Sequence, residues 1–248
     1  MLRSILIVTV SLFFTAVASA LVVIRSLFSD AGRVNRKIAR LWAKTLLKIT
    51  GIRVTIIGRE NFVTGKPQIL MANHQSDFDI LIFLAAIPVD FLWTAKKELF
   101  SIPVFGRAMK KAGYIAINRH DHEKAMENLA EAAEKIRGGL SVASFPEGTR
   151  SRDGRMLPFK PGMFYLAIQT GAPIVPIAII GSGKIMSKKS LKVNKGEIVM
   201  VIDKPVDVSG YGVETRNLLM ERVRNIISAN HDRHQTEKAA APPDGASQ

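Results

Sequence analysis

The sequence has no cysteine. That excludes disulfides, thiolate metal sites and any reaction through an acyl-cysteine intermediate. Aromatic residues are scarce, at 7%, and no nucleic-acid recognition motif accompanies them, which argues against a nucleic-acid partner. Acidic residues are outnumbered: 21 Asp and Glu stand against 35 Lys and Arg, a net charge of +14. A surplus of that size points to an anionic partner, whether nucleic acid, anionic lipid or a phosphorylated substrate. Glycine and proline, 18 and 11 residues, are too few for collagen-like or low-complexity architecture, and there is no internal repeat. What remains is 47% apolar and 23% charged, the balance of a globular core. The 248 residues suffice for one α/β domain with an appendage, not for two catalytic domains.

Charge is also missing locally. No charged residue occurs from Ile5 to Ile24, with Arg3 before the run and Arg25 after it. About 20 apolar residues match the hydrocarbon core of a bilayer. A secretory signal is the rival reading, and Ala16-Val17-Ala18-Ser19-Ala20 resembles a cleavage site. The tract is longer than a signal core, however, and no polar break precedes Leu21-Val22-Val23-Ile24. Residues 1–26 are therefore read as a transmembrane or membrane-anchor helix. In residues 27–50, Val34, Ile38, Leu41, Trp42, Thr45, Leu46 and Ile49 share one helical face. Arg33, Arg36, Lys37, Arg40, Lys44 and Lys48 fall mostly on the other. This predicts a basic amphipathic helix in the headgroup layer; the plainer alternative is a surface helix packed on the domain. By the positive-inside rule, the crowd of cations after the apolar tract is expected on the cytoplasmic side of a membrane.

From residue 51 onward β-rich runs recur at Ile52–Ile57, Gln68–Ala72, Val89–Trp93, Tyr114–Ile117, Leu140–Phe145, Ile174–Ile180 and Glu197–Ile202. Helical patterns fall between several of them, at Asp121–Arg137, Gly162–Thr170 and Val213–Ala229. Such alternation predicts an α/β fold, a mixed but mostly parallel sheet covered by helices. The domain is read as residues 51–230, and the polar residues 231–248 as a disordered tail.

Candidate chemistry sits at predicted strand ends. Asn73-His74-Gln75-Ser76-Asp77-Phe78-Asp79 follows one strand. Ser76 or Asp77 is placed to cap a helix whose first turn carries Asp79. A carboxylate on one imidazole nitrogen fixes the tautomer and leaves the other nitrogen to take a proton; the plainer reading is a histidine that only caps the helix. Phe145-Pro146-Glu147-Gly148-Thr149-Arg150-Ser151 follows another strand. There Gly148 permits close backbone approach to a ligand and Arg150 suits a phosphate. Glu147 is a candidate for substrate hydroxyls or for holding an arginine, and the plainer reading is a charged turn. Arg119 and Lys96 close two further strands, at the edge where α/β sheets collect ligands, or are ordinary solvated charges. His120-Asp121-His122 is read as a helix start, not a metal site.

Together these segments resemble the glycerolipid acyltransferase family. Asn73 to Asp79 is similar to its first block, Gly113 to Arg119 to its second, Phe145 to Ser151 to its third and Ile174-Val175-Pro176-Ile177 to its fourth, in the family's order. The resemblance covers about residues 65–180 and implies an enzyme in which His74 is the general base and Asp79 its orienting partner. Arg119, Glu147, Gly148, Thr149, Arg150 and Lys96 would bind substrate. It implies transfer of an acyl chain from acyl-CoA or acyl carrier protein to the sn-2 hydroxyl of 1-acyl-sn-glycerol 3-phosphate. The donor is a co-substrate, with no resident cofactor and no metal. Two alternatives stay open: an acyltransferase for another lysolipid, such as a lyso-ornithine lipid, or a non-catalytic membrane-surface lipid-binding protein.

Overall fold

The computed structural model describes residues 1–29, 32–118 and 121–240. Arg119 and His120 lie outside the described residues, as do residues 241–248 of the expected tail. Seven strands form one sheet: β1 (Arg53–Ile57), β2 (Ile69–Ala72), β3 (Phe91–Lys96), β4 (Ile115–Ile117), β5 (Ser141–Ser144), β6 (Ile174–Ile180) and β7 (Glu197–Ile202). Each falls within or beside an expected run. Their spatial order is β1-β7-β6-β2-β5-β3-β4. All neighbouring pairs are parallel except β6 and β7.

Strands β2, β5 and β6 are buried at every residue, which is why β2 and β6 read as unbroken apolar runs instead of alternating ones. Period-two geometry divides their side chains between two cores. Ile69 and Met71 join one core, Leu70 and Ala72 the other. The first is closed by α5 (His122–Arg137), α6 (Gly162–Thr170) and α8 (Arg216–Ala240). The second is closed by α2 (Gly32–Thr50) and α3 (Phe78–Ala86). Asp121 accepts the Lys124 backbone N–H at 3.1 Å, so it caps α5.

Parallel pairing decides where the motifs meet. β2, β5, β3 and β4 are adjacent and share one direction. Their carboxyl ends therefore lie along one edge, and the segments that follow them emerge side by side.

The last helix differs from expectation: α8 continues to Ala240, so residues 231–240 are not tail. Leu219, Val223 and Ile227 are fully buried at helical spacing. Beyond them polar contacts replace apolar ones. Asn230 donates from Nδ2 to Asp203 at 2.5 Å, and His231 is buried against Gln75 at 3.0 Å. Helix contacts made by polar side chains leave no apolar period to read.

The N-terminal helix α1 (Leu2–Arg25) contains an 18-residue stretch of mean hydropathy 2.5, of which only 17% is buried, long and apolar enough to cross a membrane. Leu2, Leu6, Phe13, Val17, Leu21 and Ile24 form its exposed stripe. Both ends are nonetheless tied to the rest of the chain. Near its start, Arg3 donates to the Val193 and Thr50 carbonyls at 2.8 Å. At its end, Arg25 reaches Asn35, whose Nδ2 donates to the Lys111 carbonyl at 2.8 Å. In the middle, the Trp42 indole donates to Thr15 at 3.1 Å. The helix thus lies along the domain with one face outward.

The basic helix α2 is likewise packed, with Ala43, Leu46 and Leu47 buried. Two of its cations serve the domain instead of a free basic face. Arg36 forms a two-pronged pair with Asp90, both contacts 2.7 Å, and donates to the Ala112 carbonyl at 3.0 Å. Arg40 donates to the Val89 carbonyl at 2.9 Å. Arg36→Ala should therefore lower the unfolding free energy by about 2 kcal/mol, since charge-assisted bonds in a half-buried pair are lost. Exposed Lys37→Ala should stay within about 0.5 kcal/mol. Denaturant titration in detergent measures both.

Candidate active site

Where β2 ends, the side chain of Asn73 takes over the ladder. Its Nδ2 donates to the Ile179 carbonyl at 2.9 Å and its Oδ1 accepts the Ile179 N–H at 2.7 Å. A buried amide that mimics a strand residue lets the backbone leave the sheet at the next position, which is His74. There the first turn of α3 turns a carboxylate back on the loop. Asp79, fully buried, places Oδ2 2.8 Å from His74 Nδ1 and accepts the Gln75 and Ser76 backbone N–H groups at 2.7 and 2.8 Å. An ionised carboxylate only accepts, so Nδ1 carries the proton and Nε2 presents its lone pair. Nε2 has no hydrogen-bond partner among the described residues. The ring stacks on Phe145, centroids 3.9 Å apart and planes 5° from parallel. That contact fixes the ring's remaining rotation.

The turn after β5 holds the same loop from the other side. Glu147 is buried, and its Oε1 accepts the His74 backbone N–H at 2.7 Å while Oε2 accepts the Leu157 N–H at 2.8 Å. Its carboxylate faces inward. Glu147 was expected to meet substrate hydroxyls or hold an arginine; here each of its oxygens accepts a backbone N–H. Ser151 N–H donates to the His74 carbonyl at 2.9 Å. Gly148 lies at φ 73°, in the left-handed region, and its N–H donates to the Phe145 carbonyl at 2.9 Å. That glycine is required by the turn, and it lines the cavity described below with its own N–H already bonded to Phe145.

The cations converge in front of this turn. The Arg150 guanidinium pairs with Asp77 across the mouth, so Asp77, at the N-cap position of α3, gives its side chain to an ion pair and not to a cap bond. Ser76 Oγ instead accepts the Phe78 N–H at 3.3 Å. Lys188, which sequence reasoning missed, donates from Nζ to Thr149 Oγ1 at 3.0 Å and to the Arg150 carbonyl at 2.8 Å. Partial burial, then the nearby charges of Arg152, Arg150 and Lys96, hold its ammonium below the usual lysine range. Its only sequence signal is a lysine pair in the loop after β6; the fold alone brings it here. Lys96 is exposed on the same rim.

His74, Thr149, Arg150, Lys188 and Lys96 line one cavity of about 370 Å³. Away from them its wall is apolar, built from Val22 of α1, Ile38 and Trp42 of α2, Leu84 and Trp93. The cavity thus joins an unprotonated imidazole nitrogen and a cationic rim to a greasy interior that the two N-terminal helices complete. Such a site suits a molecule with an anionic head and a hydrocarbon tail. Arg119, expected to share it, lies outside the described residues.

A family model described as Acyltransferase matches residues 53–180. The chain belongs to the acyltransferase family. It is 38% identical over 193 residues to the chloroplastic 1-acyl-sn-glycerol-3-phosphate acyltransferase BAT2 of Brassica napus, covering 77% of this chain and 54% of that protein. It is 34% identical over 192 residues to the human 1-acyl-sn-glycerol-3-phosphate acyltransferase alpha, covering 77% of this chain and 68% of the human one. The chain thus spans about half the length of the first of these relatives. The crystal structure of the 1-acyl-sn-glycerophosphate acyltransferase PlsC from Thermotoga maritima superposes with a TM-score of 0.80 at 26% identity. That match covers 98% of this chain and 97% of that one. The likeness therefore includes the two N-terminal helices as well as the acyltransferase core.

In this member of the acyltransferase family, burial pushes the Glu147 carboxyl from 4.5 up to about 7, against the pull of the Leu157 and His74 N–H groups. A raised folded-state value means that the folded chain holds this proton more tightly than the unfolded chain. The stability it contributes is complete below about 4.5 and is lost as pH rises through about 7. Urea unfolding at pH 5 and pH 8 should show that slope, and Glu147→Gln should remove it. The same variant leaves an NH2 facing either the His74 or the Leu157 N–H, and should cost about 1–3 kcal/mol at pH 5.

Proposed function

We propose that this protein transfers an acyl chain from an acyl thioester, acyl-CoA or acyl carrier protein, to the sn-2 hydroxyl of 1-acyl-sn-glycerol 3-phosphate. The product is phosphatidic acid, made for phospholipid biosynthesis. The observation that carries this reading is the open Nε2 of His74 sharing a cavity with Arg150 and Lys188. Nε2 takes the hydroxyl proton as the alkoxide oxygen attacks the thioester carbonyl. The tetrahedral intermediate collapses, the C–S bond breaks, and the imidazolium returns its proton to the departing thiolate. Asp79 supports the transient imidazolium and holds its tautomer. No acyl-enzyme forms, which agrees with a chain that has no cysteine. No resident cofactor or metal is required, because the donor is already activated.

Arg150, Lys188 and Lys96 supply the charge for the acceptor phosphate, with Thr149 holding Lys188 in place. A phosphate that reaches Arg150 competes with Asp77 for the guanidinium. Among acceptors, a lyso-ornithine lipid would leave these cations without a phosphate to meet. The apolar wall takes hydrocarbon, where each buried methylene is worth about 0.8 kcal/mol. The protein works at the cytoplasmic face of the inner membrane. There the outward apolar stripe of α1 rests in lipid and the acceptor keeps most of its chain in the bilayer.

An acyl-transfer assay with a panel of lysolipids tests this. His74→Ala should lose at least about 100-fold in kcat. Asp79→Asn should lose a comparable factor and cost about 1–3 kcal/mol of stability. The asparagine oxygen can occupy the Oδ2 position, and its NH2 then falls where Oδ1 now has no partner. Arg150→Ala should raise KM for the phosphate acceptor more than KM for the donor. Turnover that survives His74→Ala, or a wild type inactive toward every lysophosphatidate, would overturn the reading.

A further inference from the structure

A second cavity, of about 410 Å³, lies behind the catalytic loop. The segment from Gly148 to Gly154 serves both spaces. Gly148, Thr149 and Arg150 line the first cavity, Ser151, Arg152 and Gly154 the second. Lys188 lines both and forms their common rim. The second space is set out differently from the first. Its wall carries Arg152, Lys184 and Lys195 beside Lys188. The side chains of Arg152, Lys184 and Lys195 are exposed and form no ion pair among the described residues. Two acids also line it, and both are occupied. Asp153 accepts the Ser151 hydroxyl at 3.0 Å and the Arg155 N–H at 3.1 Å, and Glu197 accepts the Thr55 hydroxyl at 2.9 Å.

The floor is rigid. Gln75, the residue after His74, is buried there, and its Nε2 donates to the Gly154 carbonyl at 2.9 Å and lies 3.0 Å from His231 Nε2 of α8. A concave, polar, cationic space of this size suits a small polyanion better than the surface of a folded protein. It is one rim residue away from the imidazole that acts on the thioester.

We infer that the second cavity binds the phosphates of the acyl donor as coenzyme A, with the pantetheine arm crossing the Lys188 rim to bring the thioester to His74. This rests on the acyl-transfer reading above and adds to it the donor class and its site. Lys188 then stands between two phosphate groups, the acceptor's on one side and the donor's on the other. The acceptor cations Arg150 and Lys96 remain in the first cavity.

The test compares wild type with the double variant Lys184→Gln/Lys195→Gln in detergent. Neither lysine belongs to the catalytic loop or the acceptor rim. KM for acyl-CoA should rise about tenfold, as expected for the loss of two exposed charge contacts to phosphate. KM for lysophosphatidate and kcat at saturating donor should stay within about twofold. Calorimetric titration with free coenzyme A should show the same weakening, and 3′-dephospho-coenzyme A should bind wild type less tightly than coenzyme A does. Unchanged donor KM and coenzyme A affinity would overturn the proposal. So would an effect confined to the acceptor, or a wild type that accepts only acyl carrier protein. The coenzyme A titration reads the site without turnover. A wild type that binds coenzyme A but acylates no lysolipid therefore sinks the acyl-transfer reading, and one that acylates without using this cavity sinks only this inference.

Discussion

Two buried carboxylates hold one short loop, and the rest of the site depends on that grip. Asp79 takes the ring of His74 together with two backbone N–H groups beyond it. Glu147 takes the backbone N–H of His74 itself. Ring and main chain are thus fixed by different elements, α3 on one side and the turn after β5 on the other. With Phe145 stacked on its face, the imidazole has no freedom left except to present Nε2 to the cavity. Preorganisation of this kind is what positions a base without reorganisation at the moment of proton transfer.

The grip is possible because the sheet is parallel where it matters. β2 and β5 are neighbours that run the same way, so the loop leaving one meets the turn leaving the other. Chain segments about 70 residues apart in sequence are brought within hydrogen-bond distance by a ladder that says nothing of their chemistry. The charge distribution then sorts the surroundings. Cations gather at the open edge, while the buried carboxylates face backbone N–H groups, whose short hydrogen bonds offset part of their desolvation. The N-terminal helices complete the arrangement. They roof the apolar part of the cavity, so the outward apolar stripe of α1 and much of the cavity's apolar wall belong to the same pair of helices.

Much of this was legible from residue types and spacing. All seven strands followed from β-rich runs; β2 and β6, buried on both faces, were the plainest because such strands are continuously apolar. The pairing of His74 with Asp79 was readable because a loop histidine and a first-turn aspartate are local in sequence. Less legible was anything that depended on which way a charged side chain turns. Glu147 looked like a substrate ligand and is a backbone clamp. Arg36 and Arg40 looked like part of a basic membrane face and are bonded to the domain. Lys188 gave no sign of belonging to the site, because it reaches Thr149 only after the chain has crossed the sheet once more. The end of α8 was misplaced for a related reason: Asn230 and His231 hold it by polar contacts that follow no apolar period.

By itself the amino-acid order determined the fold class, the strand inventory, the apolar first helix and the local His74–Asp79 unit. All of these rest on periodicity or on contacts between near neighbours, which short stretches of chain specify. Only the tertiary structure decided that α1 lies along the domain, that Glu147 faces inward, and that Lys188 stands between two cavities. Those are outcomes of long-range packing, in which a polar group goes wherever a distant partner can satisfy it, and no local pattern records that choice.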